Sequence, residues 1–415
     1  MNDLVIVFPG QGSQFTGMGR SWFDAHESVR DRFRQASGIV GYSLEELVFT
    51  APTAELTKTS HAQVALLVLS HAMYEVVSAD RKVPVAAMAG HSLGEITALL
   101  AAGALDFEDA VRLVKARGEA MQICATENST GMIAAVGTPV AEVERYVAEV
   151  NADGHRVQVA NYNADRQTVL SGTLDELKVM TAHLEDRGCK VVRLNVAGAF
   201  HSTYMEGAVA AYTRVIEEID VRDPAVPVYS TVTGRVYGSA QEIRDALAVQ
   251  LTSPVRWSTV VAALAEREVG LWIEAGPKQV LKKLIAGAVG GDTVHSLDEG
   301  TEEALAALDR FIERKRREPG LVGLCMGAAA ATRNRNFDED AYAAGVVAPY
   351  RRLQELGRLD KDEVTEEQRR TALELLGTIM TTKRVPEPEQ RERIASILRR
   401  TGGAGLETST GAPTG

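Results

Sequence analysis

The chain has 415 residues, enough for one large domain and one or two smaller ones. Hydrophobic residues make up 45% of it and charged residues 24%, and a net charge of −11 argues against nucleic acid as the main partner, because neutralising phosphates takes a basic face. Three cysteines, Cys124, Cys189 and Cys325, stand at no metal-ligand spacing, so neither a disulfide framework nor a metal site is expected.

Leu4-Val5-Ile6-Val7-Phe8 reads as a buried strand. It has no basic segment before it and no long apolar core, so it is not a signal peptide. No apolar run approaches the roughly 20 residues that span a bilayer. The expectation is a soluble, cytoplasmic protein without a membrane partner. Pro9-Gly10-Gln11-Gly12-Ser13-Gln14 breaks the strand. It lacks the Lys-Ser/Thr ending of a phosphate loop, and Gln14 and Phe15 stand where a dinucleotide fingerprint would continue. It is either an ordinary turn or a loop that brings backbone N–H groups to a ligand.

Val83–Ala89 reads as a second buried strand, followed by Gly90-His91-Ser92-Leu93-Gly94-Glu95 and a helix from Ile96 to Ala102. A serine between two glycines at a strand-to-helix turn is the nucleophile-elbow pattern. Such a turn exposes the hydroxyl at a helix N-terminus, where backbone N–H groups and the helix dipole can stabilise an oxyanion. The strand before and the helix after make Ser92 a candidate for covalent acyl chemistry.

The helix Asp106–Gln122 places Phe107, Ala110, Val111, Val114, Gly118 and Met121 on one apolar stripe, and Arg117 falls inside it. A guanidinium directed inward is costly unless it meets an anion. Either a structural carboxylate pairs with it, or it captures a substrate carboxylate in its planar fork.

From 131 to 198 the rhythm changes. Met132–Val136 reads as a strand, Val140–Val150 as a helix, and Val157–Asn163 with Thr168–Ser171 as a strand pair. Leu174–Leu184 is a second helix and Lys190–Val196 a last strand, which completes the ferredoxin-like β-α-β-β-α-β order. His201 follows directly, in Gly198-Ala199-Phe200-His201-Ser202, where the chain returns to the larger unit and a cleft is expected. A serine needs a base. His91 is a poor one, since neighbours at an elbow point apart, and His201 is favoured by position. Asp220, Asp223, Glu217 and Glu274 are equal candidates to orient it, as is a backbone carbonyl.

Val228–Val232 and Leu271–Glu274 add strands. After residue 300 the chain turns rich in Arg, Glu, Ala and Leu at helical spacing. The expected fold is α/β: an α/β-hydrolase-like core with a parallel sheet over 1–130 and 199–299, with an inserted ferredoxin-like subdomain over 131–198. A helical C-terminal extension covers 300–401, and 402–415, rich in Gly, Thr, Pro and Ala, is a disordered tail.

Together these pieces resemble the malonyl-CoA:acyl-carrier-protein transacylase family, including the acyltransferase domains of fatty acid and polyketide synthases. The residues that carry the resemblance begin with Phe8–Gln14, Gln63, Gly90–Glu95 and Arg117. They continue with Asn161-Tyr162-Asn163, Gly198–Ser202, Ser253-Pro254-Val255-Arg256-Trp257 and Glu274-Ala275-Gly276-Pro277, and they cover about residues 1–296. The resemblance implies ping-pong transfer of malonyl from malonyl-CoA through Ser92 to the phosphopantetheine thiol of a holo acyl carrier protein, with no bound cofactor. In it His201 is acid and base, and the backbone N–H groups of Gln11 and Leu93 hold the oxyanion. Arg117 takes the malonyl carboxylate, and Gln63 and Asn161 help form the acyl pocket. A carbonyl at Ser253 orients His201, and Phe200 crowds an α-substituent. A methyl branch is worth only about 1–3 kcal/mol in such a pocket.

The segments Arg333–Asp338 and Gly345–Arg351 look similar to extensions on discrete acyltransferases that serve polyketide synthases in trans. They are either a helical cap or a docking element for a carrier protein or synthase module. A thioester hydrolase sharing the Ser/His pair is the alternative activity, but it would have no need of Arg117.

Overall fold

An apolar run with no alternation belongs in a strand covered on both faces. Leu4–Phe8 occupies that place: in a computed structural model, which describes residues 3–79, 81–127, 129–359, 361 and 363–401, strand β1 (Asp3–Phe8) is the centre of a five-stranded sheet. The expected tail, 402–415, lies outside the described residues. The remaining strands are β2 (Val85–Gly90), β3 (Thr130–Val136), β4 (Gln158–Ala164), β5 (Gln167–Thr173), β6 (Lys190–Arg193), β7 (Val228–Tyr229), β8 (Val269–Glu274) and β9 (Val294–Ser296).

The chain divides into two compact units, Met1–Arg310 and Phe311–Gly415. In the first, the sheet runs β7-β2-β1-β8-β9 with every pairing parallel. The chain leaves β1 for β2 on one side and reaches β8 on the other. In such sheets ligands bind beyond the carboxyl ends of the strands where the winding reverses. The loops after β1, β2 and β8 all open at that edge.

The second sheet of this unit is antiparallel, in the order β4-β5-β3-β6. Helices Val140–Ala152 and Leu174–Glu185 bury Val143, Tyr146, Val147, Leu177, Met180 and Leu184 against Ile133, Ala135 and Leu170. A capping box between Thr173 and Glu176 starts the second helix. Strand β4 is also tied to a loop of the larger sheet, with Tyr162 N donating to Val255 O and Val255 N to Ala160 O, both at 2.8 Å.

Several local expectations shift. β6 stops at Arg193 instead of Val196, because its ladder with β3 ends at the Ile133–Arg193 pair. β7 keeps two residues of the expected five, since the chain turns back over Ser230–Gly234, with Gly234 at φ 74°. β9 was not expected; its three residues are too short to show a period. The helix Thr59–Ala79 is long and apolar enough to cross a membrane, contrary to the reading that no run approaches that length. It is a core helix, with Leu66, Leu67, Val68 and Leu69 all buried. The boundary between the units falls inside the helix Thr301–Arg317, where Asp309 still pairs with Arg81 at 2.7 Å, and the second unit starts at Phe311, eleven residues beyond the expected 300.

The second unit is helical among its described residues. Helices Leu321–Ala331, Ala348–Leu356, Glu366–Thr382 and Glu387–Thr401 share a core of Leu321, Cys325, Leu353, Leu373, Leu376, Ile379, Met380 and Ile397. The buried Lys383 ammonium donates to the carbonyls of Ala329 (2.7 Å) and Thr332 (2.9 Å) and so caps the end of the first of these helices. Phe337, in the loop that follows, is 90% exposed.

Candidate active site

Strand β2 ends at Gly90 and the next helix begins at Leu93, so His91 and Ser92 must make the turn between them, and Ser92 takes its sharpest bend. It does so at φ 53°, ψ −103°, a conformation that costs a non-glycine residue about 1–3 kcal/mol and clusters at functional sites. The turn is possible because its neighbours have no side chain in the way. A Cβ on Gly94 would overlap the Phe8 carbonyl oxygen, and one on Gly10 the carbonyl oxygen of His91. The loop after β1 therefore seats directly on the elbow. Lys278 holds it there, donating to the carbonyls of Gly12 (3.1 Å) and Gln14 (3.3 Å). Gln11 lies in that loop and Leu93 is the first residue of the helix, where a backbone N–H has no intrahelical partner. The loop of Gln11 and the helix start at Leu93 lie at the same edge of two adjacent strands, β1 and β2. The Gln11 side chain donates to Thr59 Oγ1 at 3.4 Å.

His201 comes from the return after β6, also at positive φ (57°), and its Nε2 lies 2.7 Å from Ser92 Oγ. Its Nδ1 faces two carbonyl oxygens, Gln250 O at 3.0 Å and Ser253 O at 3.2 Å. Carbonyls only accept, so Nδ1 carries the proton and Nε2 is left to accept from the serine hydroxyl. Burial, with the Arg117 charge as the next cause, pulls the imidazole down to about 3. The resting ring is therefore neutral, as a base must be. Its protonation should not limit acylation near neutral pH: kcat/KM is expected to stay flat down through pH 5, and an acid limb near pH 6.5 would contradict this.

None of the four acidic candidates hydrogen-bonds to His201 among the described residues. Glu274, pushed up to about 7 by burial, caps the helix Val280–Val289 through Leu281 N (2.9 Å) and Lys282 N (2.8 Å). Asp220 pairs with Arg222 and Asp223 accepts from Ala240 N. His91 is engaged elsewhere, its Nε2 lying 2.9 Å from Asn163 Oδ1.

Arg117 is 1% exposed on the helix Phe107–Glu127. Its Nη1 donates to Gln63 Oε1 (2.7 Å), its Nε and Nη2 to Gln250 Oε1 (3.2 and 3.0 Å), and Nη2 also to Ser92 Oγ (3.0 Å). Among the described residues no carboxylate ion-pairs with it. A buried cation touched only by neutral acceptors is costly, and a carboxylate brought beside Ser92 would relieve it. Phe200 is buried, with its carbonyl accepting from Ser171 Oγ at 2.7 Å. Asn161 is buried on β4, and no hydrogen bond joins it to Ser92, His201 or Arg117 among the described residues. Its backbone bridges to Val255, two residues from the Ser253 carbonyl.

Two residues to which sequence reasoning gave no role belong to this group. Gln250 supplies both its backbone carbonyl and its amide, and Glu95 accepts from that amide at 2.8 Å. The signal that exposed Arg117 was present for both. Gln250 ends the stripe Ile243, Ala246, Leu247, and Glu95 stands in a helix whose neighbours are all apolar or small.

The acyl transferase domain family matches residues 5–311. A malonyl CoA-acyl carrier protein transacylase of Bacillus subtilis is 31% identical over 397 residues, covering 94% of this chain and 99% of that protein. The protein of the same name from Escherichia coli (strain K12) is 36% identical over 307 residues, covering 74% of this chain and 99% of its own length. The Bacillus match is the longer because it takes in most of the helical unit. Among solved structures, a type II PKS acyl-carrier protein in complex with its malonyl-transacylase is similar at a TM-score of 0.69 and 34% identity, covering 75% of this chain and 100% of that one.

Proposed function

The chain belongs to the malonyl CoA-acyl carrier protein transacylase family of acyl transferases, and on that premise we propose that it moves a malonyl group from malonyl-CoA to the phosphopantetheine thiol of an acyl carrier protein. Ser92 Oγ gives its proton to His201 Nε2 and attacks the thioester carbonyl, whose oxygen takes the negative charge. The backbone N–H groups of Gln11 and Leu93 hold that oxyanion. Collapse of the tetrahedral adduct breaks the C–S bond, and the imidazolium returns the proton to the leaving thiolate. The carrier thiol then gives its proton to His201 and attacks the malonyl-serine ester. Loss of the serine alkoxide, reprotonated by His201, completes the cycle. The carbonyls of Gln250 and Ser253 keep the ring in one tautomer throughout.

The observation that carries this reading is Arg117, a buried guanidinium 3.0 Å from the nucleophile with no carboxylate paired to it among the described residues. A malonyl thioester brings a carboxylate to that place, and Gln63 and Asn161 line the acyl pocket beside it. Phe200, directly before the base, crowds a methyl branch and favours malonyl over methylmalonyl. The antiparallel unit is read as a ferredoxin-like insertion on the order of its strands. The helical unit, with its exposed Phe337, is read as the docking element for a carrier protein of a polyketide synthase served in trans.

Intact-protein mass after incubation with malonyl-CoA tests the reading. A single malonyl adduct is expected, lost as a holo carrier protein gains it. An adduct that decays in buffer as fast as with the carrier would instead make the protein a hydrolase.

A further inference from the structure

Glu95 lies in the first turn of the helix that Ser92 opens and has no exposed surface. Among the described residues, every hydrogen bond it makes is with a donor. Oε2 accepts from Thr231 N (3.2 Å), from Thr231 Oγ1 and from Gln250 Nε2 (2.8 Å), and Oε1 accepts from the Tyr237 hydroxyl. A donor-only environment of this kind is that of an ionised carboxylate, which can only accept. Burial raises its pKa, and these donors work against that rise.

An amide side chain has two chemically different ends, and Gln250 uses both. Its Nε2 faces Glu95 Oε2 and the Ser92 carbonyl (3.3 Å), while its Oε1 faces two N–H groups of Arg117. Turned the other way, its carbonyl would meet a carboxylate and its NH2 a guanidinium, losing every bond at once. The carboxylate at one end and the guanidinium at the other therefore dictate which way the amide points.

We propose that Glu95 is a positioning residue for acyl selection: by locking the Gln250 amide, it holds the Arg117 fork at Ser92 so that the guanidinium can take the carboxylate of the incoming acyl group. The inference rests on the reading of Arg117 given above. It makes Glu95 the fixed counter-charge of the site, one side chain removed from the arginine it serves.

The test is the ratio of kcat/KM for malonyl-CoA to that for acetyl-CoA, measured in the full chain. Glu95→Gln is expected to lower this ratio roughly ten- to a hundredfold, the loss of one hydrogen bond to a charged group, chiefly through KM for malonyl-CoA. A role in folding alone would lower both substrates in proportion to the active fraction, and that outcome overturns the proposal. In an Arg117→Ala background the same substitution is expected to change the ratio no further, because the arginine it acts through is gone. A full additional loss in that background also overturns it. If Arg117→Ala by itself leaves the ratio unchanged, the reading of Arg117 falls, and this proposal with it. If Glu95→Gln does not fold, Glu95→Asp draws the carboxylate back from Gln250 by one methylene and is expected to lower the ratio less. An unchanged ratio in that folded variant counts against the lock.

Discussion

Replacing Ser92 by alanine is expected to remove the malonyl adduct and to cut malonyl transfer to the carrier protein roughly a million-fold, the loss seen when a nucleophile that works as a unit with its base is deleted. The size follows from the geometry. Ser92 Oγ is bonded to both His201 Nε2 and Arg117 Nη2, so one atom is the meeting point of base, nucleophile and acyl anchor. Without it His201 is a neutral imidazole with nothing to deprotonate, and the thioester has no way to divide its transfer into two steps. Binding should survive, because Arg117, Gln63 and Gln250 still face one another. Titration calorimetry with malonyl-CoA is expected to give a Kd within a few-fold of the wild type. A malonyl adduct on the alanine variant would place the nucleophile elsewhere.

Arg117→Ala is expected to invert the preference between acyl groups. A carboxylate buried without its partner costs about 3–5 kcal/mol, so kcat/KM for malonyl-CoA should fall by roughly a hundred- to several-thousand-fold. Acetyl-CoA has no carboxylate to strand and loses only the Nη2 bond to the serine; a change of less than about tenfold is expected, one neutral-partner hydrogen bond. Parallel assays with the two thioesters check this. Equal losses on both would mean that the guanidinium only supports the shape of the site. The wild-type cation is tolerated because Gln63 and Gln250 each turn a carbonyl oxygen towards it and Glu95 stands behind Gln250.

Much of the local architecture was legible before any coordinate. The buried run Leu4–Phe8 became the central strand, and the inward Arg117 is 1% exposed, as the apolar stripe required. These features depend on a few residues' spacing, and periodicity reports spacing faithfully. The ends of elements were read less well. β6 and β7 ended early because a ladder partner ran out or the chain turned back, which are events between segments. Gln250 was not singled out, and Glu95 stood only as the end of the serine motif with no role, although each sits on a buried helical face. A single polar residue on such a face says that it has a partner but not which one.

The sequence alone determined the chemical kinds available: a serine on a strained turn, an inward arginine, a histidine at a chain return, and strands without alternation that had to be covered on both faces. Those follow from steric and hydrophobic rules acting over a turn or two of chain. Only the tertiary structure decided how the kinds combine. Ser92 and His201 are 109 residues apart in sequence, and Arg117 and Gln250 are 133 apart. No local rule sets the distance between such groups; packing of the whole sheet and its helices does. That packing put two carbonyls against Nδ1, which fixes the tautomer, and left the buried guanidinium with neutral oxygens in place of a carboxylate. In a medium from which water is excluded, those placements set proton position and charge balance, and with them what the serine can do.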